Sequence, residues 1–195
     1  MSFELKKEHL AKLITGNKNV DAWHAALVDV LPKYGINTER RMAHFISQTS
    51  HESNNFNSLE ENLNYSEKSL LAVFGRYFGA APKASAAEYA RNPEKIANRV
   101  YNDEFRKYKM GNTKPGDGWR FRGRGLKQLT GRENYTGFGK FVNMTAEQAA
   151  DYVATPKGAV ESACWFWDTK KLNNIADTDD VTKMTKIING GNWSC

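Results

Sequence analysis

Cysteine is almost missing from this chain. Cys164 and Cys195 are the two present, too few to define a disulfide framework. Cys164 lies in Val160-Glu161-Ser162-Ala163-Cys164-Trp165-Phe166-Trp167, where a buried, inert thiol is expected, and neither cysteine stands in a pattern that pairs it with a base. No apolar run approaches the roughly 20 residues that a membrane-spanning helix needs. The opening residues, Met1 to His9, lack the basic-then-apolar order of a secretory signal, so synthesis in a cytoplasm is expected. Alternating strand patterns of useful length are absent, as are internal repeats, low-complexity tracts and linkers rich enough to separate independently folding parts. A chain of 195 residues is then expected to form a single domain, 1–195, with 1–36 as a helical N-terminal segment and 37–191 as the main body. The net charge of +6 favours polyanions. With no zinc-finger spacing, RNA-binding motif or recognition helix beside it, nucleic acid is not the expected partner.

What is present is helical periodicity. Leu10, Leu13 and Ile14 suit a first helix, and Val20, Trp23, Leu27, Val30 and Leu31 a second, ended by Pro32 and Gly35. Thr38 is placed to cap a third with Glu39 in its first turn, and its apolar stripe is Met42, Phe45, Ile46 and Thr49. Ser66 is a cap for a helix through Leu70, Leu71 and Phe74, and Asn92-Pro93-Glu94 opens one through Ile96 and Val100. Thr145 begins a short helix, Pro156 an aromatic one through Trp167, and Asp179 or Asp180 the last, closed by Gly190-Gly191. The main interruption is Lys107 to Gly125, an irregular stretch with six glycines or prolines that also carries Trp119, Phe121, Arg120, Arg122 and Arg124. Long loops with such content are functional more often than disordered, and a small hairpin there is compatible with the pattern.

Chemistry is carried by acidic residues. Glu52 and Glu61 stand nine residues apart in Gln48-Thr49-Ser50-His51-Glu52 and the Asn-rich segment that follows. Glu52 falls near the end of the third helix and Glu61 in a wetter loop, an arrangement that drives two carboxylates toward different protonation states, as glycosidic cleavage needs. The bland reading makes Glu52 a helix-end carboxylate paired with Arg40 or Arg41, and Glu60 and Glu67 compete with Glu61. His44 and His51, seven apart, match no metal-ligand spacing, so neither metal nor cofactor is expected. A phosphate cradle is disfavoured at the glycine-rich run, which lacks the strand, the following Gly-Lys-Ser/Thr and the Gly-x-Gly-x-x-Gly pattern.

Three stretches point one way together: Gln48-Thr49-Ser50-His51-Glu52-Ser53 followed by Asn62-Leu63-Asn64-Tyr65-Ser66, then Phe121-Arg122-Gly123-Arg124-Gly125-Leu126-Lys127-Gln128-Leu129-Thr130-Gly131-Arg132-Glu133-Asn134-Tyr135, then Ile187-Ile188-Asn189-Gly190-Gly191. In this order the chain resembles glycoside hydrolase family 19, the chitinase-like group that includes endolysins of phages infecting Gram-negative bacteria, from about Thr38 to Gly191. The resemblance implies a mainly α, lysozyme-like helical body of two lobes with a central substrate cleft, and inversion at the anomeric carbon. It makes Glu52 the general acid, Glu61 the general base and Thr130 the hydroxyl that holds the attacking water. Gln128, Asn134 and Asn189 match residues that contact the sugar chain. From their chemistry, Tyr65, Tyr101 and Trp119 suit pyranose stacking, His51 suits orienting the acid or a sugar, and Arg124 joins the substrate-binding set. Beyond Asn-Gly-Gly, plant-type members carry a Glu and an Arg coupled to the acid, where this sequence reads Asn192-Trp193-Ser194-Cys195. The short spacing between acid and base favours an endolysin over a chitin hydrolase.

The resulting expectation is a peptidoglycan hydrolase that cuts β-1,4 links of the glycan strand as a monomer. It accumulates in the host cytoplasm, reaches the periplasm through a separate pore-forming protein, and touches membranes only by electrostatic attraction to an anionic face. A chitinase, a bacterial cell-wall-attacking toxin of the same family, and a non-catalytic glycan-binding protein are the alternatives.

Overall fold

The computed structural model of the protein describes residues 3–190. Twelve α-helices are found there: α1 (Lys7–Leu13), α2 (Val20–Val30), α3 (Glu39–Glu52), α4 (Glu67–Phe74), α5 (Ala86–Tyr89), α6 (Pro93–Val100), α7 (Asp117–Arg120), α8 (Arg132–Phe141), α9 (Ala146–Val153), α10 (Pro156–Thr169), α11 (Leu172–Asp177) and α12 (Val181–Gly190). Short 3-10 turns follow α2 at Leu31–Tyr34 and α6 at Asp103–Phe105. The described residues hold no β-strand, only isolated bridges such as Arg124 with Leu129. The mainly α fold is as expected.

Helix starts follow local chemistry. Thr38 accepts from the Arg41 amide at 3.2 Å, Ser66 from Ser69 at 3.2 Å, and Asn92 from Lys95 at 3.0 Å, each satisfying a donor that a helix N-terminus leaves open. Thr145 and Gln148 form a reciprocal capping box, side chain to amide in both directions at 3.1 and 2.9 Å. Thr155 caps α10 ahead of Pro156, and Asp180, rather than Asp179, caps α12 through the Lys183 amide at 2.9 Å. Pro32 does not end α2 outright. It sits at the start of the 3-10 turn, and Gly35 closes that turn in the left-handed region at φ 65°. Gly191, assigned to the end of α12, and Cys195 lie outside the described residues.

The chain divides into two compact units. One comprises the residues up to Leu59, Arg124–Leu129 and those from Asp151 on. Its core joins α1, α2, α3, α10, α11 and α12 through Leu10, Ile14, Trp23, Leu27, Val30, Phe45, Ile46, Val160, Cys164, Phe166, Trp167, Leu172, Met184 and Ile188. Trp23 meets Phe56 at 4.9 Å between ring centres, and Phe45 meets Trp167 edge-on at 5.4 Å, geometries that aromatic quadrupoles favour. Described residues of the N-terminal segment, from Leu5 to Ile36, thus contribute to this core together with Phe166 and Trp167. Leu13 instead faces solvent.

The other unit comprises Glu60–Gly123 and Thr130–Ala150. Leu63, Leu70, Phe78, Ala86, Ile96, Ala97 and Val100 form a core, with Tyr65, Phe74, Tyr101 and Trp119 packed against it. Helix α7 approaches α6 so closely that a Cβ on Gly118 would collide with the Ala97 carbonyl, which accounts for a glycine inside that helix. The stretch Lys107 to Gly125 is ordered by an ion pair whose carboxylate is buried and whose guanidinium is half-buried. Arg132 forks onto Asp117 at 2.7 and 3.0 Å while its guanidinium lies 4.4 Å over the Phe121 ring. No hairpin forms within that stretch; α7 occupies its middle.

Burial of Asp117 opposes its charge, but the hydrogen bonds of Arg132 and of the Lys114 amide, with the two positive charges, outweigh that and hold its carboxyl below the ordinary carboxylate range. A depressed native value stabilises the fold above the unfolded-state value and is lost as pH falls through the native one. Asp117→Asn is therefore expected to cost about 3 kcal/mol at pH 7, and the gap to the wild type should narrow as pH falls below about 4. Urea unfolding at the two pH values measures both.

Candidate active site

Glu52 is the last residue of α3. The buried stripe Met42, Phe45, Ile46 and Thr49 fixes that helix against the first unit's core. The chain then makes a left-handed turn at Asn54, Asn55 and Phe56, with φ of 51°, 55° and 63°. Asparagine tolerates that region, which accounts for the Asn-rich composition. Ser53 accepts from the Phe56 amide at 3.1 Å and donates to the Thr49 carbonyl at 2.6 Å, so the turn is tied back to the helix.

The partner of Glu52 is Lys127, whose Nζ donates to Oε2 at 3.2 Å. Neither Arg40 nor Arg41 takes that place, since Arg41 forks onto Asp177 and Arg40 donates to the Asp177 carbonyl. Lys127 also donates to the Ile188 carbonyl at 2.8 Å and lies 5.3 Å from the Phe166 ring centre. Among the described residues Oε1 of Glu52 takes no hydrogen bond.

Lys127 reaches Glu52 from the turn Arg124–Leu129, closed by amide-to-carbonyl bonds in both directions between its ends at 3.1 and 2.8 Å. Gly125 there has φ 78°, donates to the Leu59 carbonyl at 2.7 Å, and leaves no room for a Cβ. Gln128 takes φ 52° and donates its amide side chain to the Gly125 carbonyl at 3.1 Å. Arg124 is buried.

Glu61 lies on the loop that follows Leu59, as the sequence places it, with its side chain anchored. It is half-buried in the second unit, where Oε1 accepts from the Gly123 amide at 2.5 Å and Oε2 from the Tyr101 hydroxyl at 2.5 Å. Its own amide donates to the Gly123 carbonyl at 3.1 Å, so backbone and side chain are both anchored on the same glycine. Two donors on a carboxylate favour its ionised form. Burial and the adjacent Glu61 charge push the Tyr101 phenol up, keeping it a donor. Glu60 turns to a different task and pairs with Arg122 at 2.5 Å. Glu67 is exposed in the first turn of α4, where an acid suits the helix dipole.

Of the remaining sequence-derived residues, Thr130 and Asn134 are brought together, the Asn134 side chain donating to the Thr130 carbonyl at 2.7 Å. Trp119 is half-buried, with the Arg122 guanidinium 3.8 Å from its ring centre, so one face is already covered. Tyr65 packs edge-on against Phe74 at 5.2 Å. His51 and Asn189 are exposed, in the last turns of α3 and α12. Tyr101, read from sequence as a stacking ring, gives its hydroxyl to Glu61. Lys127 was passed over; a cation inside the Gly-Arg-Gly-Leu-Lys-Gln run is the signal that marks it.

A groove of about 770 Å³ elsewhere on the first unit is lined by Thr38, Arg40, His44, Ser47, Asp177 and Asp179. Glu39 lines it as well; His44 meets Asp179 at 2.8 Å and Arg40 donates to the Asp177 carbonyl at 2.9 Å, and no second carboxylate stands there in the sequence setting that Glu52 and Glu61 share. Burial, with the Glu161 charge nearby, pushes the Cys164 thiol up and away from the reactive thiolate. No group of three or more His, Cys, Asp or Glu side chains suited to a metal ion occurs among the described residues.

The chain matches no family model. Over 168 residues, 86% of this chain and 80% of its counterpart, it is 38% identical to a Haemophilus influenzae protein named glycosyl hydrolase family 19 domain-containing protein.

A Cβ on Gly125 would stand 2.7 Å from Val153 Cγ1 and 3.1 Å from Ser162 Oγ, on top of the strain of a positive φ. Gly125→Ala is expected to lower stability by about 2–4 kcal/mol, as strain and overpacking add. Chemical denaturation would measure this, and a loss below about 0.5 kcal/mol would show that the turn relaxes freely.

Proposed function

Since the chain belongs to glycosyl hydrolase family 19 and is thereby a glycoside hydrolase, we propose that it cuts the β-1,4-linked glycan of bacterial peptidoglycan by an inverting, two-carboxylate mechanism. Glu52 gives its proton to the glycosidic oxygen as the C1–O bond breaks and the bonding electron pair leaves with that oxygen. Glu61 takes a proton from a water that attacks C1 from the opposite face, and Thr130 helps to orient that water. Such chemistry needs carboxyls about 6.5–9.5 Å apart, wide enough to admit the water.

The observation that carries this reading is the different treatment of the two carboxylates. Both oxygens of Glu61 accept from donors built into the fold, as suits a base that stays ionised. Glu52 accepts from Lys127 at Oε2 and keeps Oε1 without a hydrogen bond among the described residues, which leaves one oxygen to carry the proton that is transferred. A non-catalytic glycan-binding protein would have no use for that asymmetry.

Peptidoglycan is preferred to chitin because the net charge of +6 suits an anionic wall polymer. In this reading the protein is an endolysin, acting as a monomer in the periplasm after release from the host cytoplasm through a separate pore-forming protein. Chitin hydrolysis is the second reading, supported by the family itself.

The test compares clearing of outer-membrane-permeabilised Gram-negative cells with release of soluble sugar from chitin, for wild type and Glu52→Gln. The wild type should clear cells and release little sugar from chitin. Glu52→Gln should lose about 10²–10⁴-fold in rate with its fold intact. Clearing at wild-type rate by a folded Glu52→Gln protein would remove the proposal, and preferred release of sugar from chitin would replace the substrate.

A further inference from the structure

We propose that Lys127 is a positioning residue for proton delivery: its ammonium holds Oε2 of Glu52, leaves Oε1 to carry the proton, and stabilises the carboxylate left when the proton departs. This rests on the assignment of Glu52 as the acid.

The surroundings of Lys127 argue that the charge is there for a purpose. Its side chain is 11% exposed, against 26% for Glu52, and a small pocket around the pair is walled by Thr49, Ala163, Phe166, Trp167 and Ile188. Taking an ammonium out of water into such a setting is costly unless its donors are met. An apolar side chain of similar size would fill the space without that cost.

Its donors are met in an ordered way. The Ile188 carbonyl, the nearer partner at 2.8 Å, lies in the last turn of α12, where the helix dipole is negative and favours a cation. The Phe166 ring lies 5.3 Å away, within range of a cation–π attraction. The ammonium is therefore held and partly balanced before it meets Glu52, at the longer distance of 3.2 Å. This matters for an acid catalyst. An ammonium shared with a helix end spends less of its charge on Glu52 while still donating a hydrogen bond to it.

An ammonium has three donors and no acceptor, so the oxygen it holds is the accepting oxygen of the carboxyl group. The acidic proton then belongs on Oε1. As it transfers to the glycosidic oxygen, negative charge grows on Glu52 beside a cation already in place, which needs no rearrangement. The turn Arg124–Leu129, with its left-handed Gly125 and Gln128, sets where Lys127 starts from.

The test uses the full chain with Lys127→Met, Lys127→Arg and Glu52→Gln. Each is assayed on the natural glycan and on a 2,4-dinitrophenyl glycoside of the shortest glycan that the wild type cleaves, whose leaving group departs without protonation. Lys127→Met is expected to lose about 10–100-fold in kcat on the glycan with KM nearly unchanged, and less than about 3-fold on the aryl substrate. Lys127→Arg should recover most of the glycan rate. Equal losses on both substrates, or a glycan rate within about 3-fold of wild type, would overturn the proposal. Should Lys127→Met fail to fold, Lys127→Gln gives the same comparison. Glu52→Gln separates the two claims: if it fails on the glycan while Lys127→Met does not, the positioning role alone falls. If Glu52→Gln cleaves glycan normally, the acid assignment falls with it.

Discussion

The Gly123 amide on Glu61 and the Lys127 ammonium on Glu52 both come from one short run, Gly123 to Thr130. Within it, the turn Arg124–Leu129 contains two left-handed residues, Gly125 and Gln128, and is closed by a pair of amide-to-carbonyl bonds between Arg124 and Leu129. A backbone restricted this way has few alternatives, so the groups it presents are held rather than found on binding. Of the glycines of Gly-Arg-Gly, Gly125 is explained by this geometry. Gly125 answers a positive φ and a crowded wall of Val153 and Ser162, while Gly123 bonds Glu61 through both its amide and its carbonyl.

Each unit supports its own carboxylate. In the first, the stripe of α3 packs with Trp167 into the apolar core, and Glu52 ends the helix. In the second, the Asp117–Arg132 pair orders the irregular stretch that leads to Gly123, and the helix holding Ile96, Ala97 and Val100 delivers Tyr101 to Glu61. Buried polar groups of this kind must be satisfied in full, and here they tie catalytic candidates to structural elements.

Much of this was legible in the sequence where local rules act alone. Thr38, Ser66, Asn92, Thr145 and Asp180 are caps because a short side-chain oxygen satisfies an open amide whatever the rest of the chain does. Helix α8 escaped notice because Gly137 and Gly139 sit inside it and weaken its helical signal; Gly139 is needed where the helix passes the Met144 carbonyl. Helix α11 is short and starts from Lys171 in the left-handed region, which no propensity announces. The candidate site was read in the same uneven way. Motif spacing pointed to Glu52, Glu61 and Thr130, but the half-buried setting of Glu61, the partner of Glu52 and the hydroxyl role of Tyr101 depend on contacts across 40 to 75 residues of chain. Such contacts leave no periodic mark.

The central claim is that Glu61 activates a water rather than attacking the sugar itself. Proton NMR of the newly formed reducing end, recorded before mutarotation, tests this most directly. From a β-linked strand the product should appear first as the α-anomer, because water enters from the face opposite the leaving group. A β-anomer at the earliest time points would mean a covalent intermediate, and would contradict both the role given to Glu61 and the mechanism built on it.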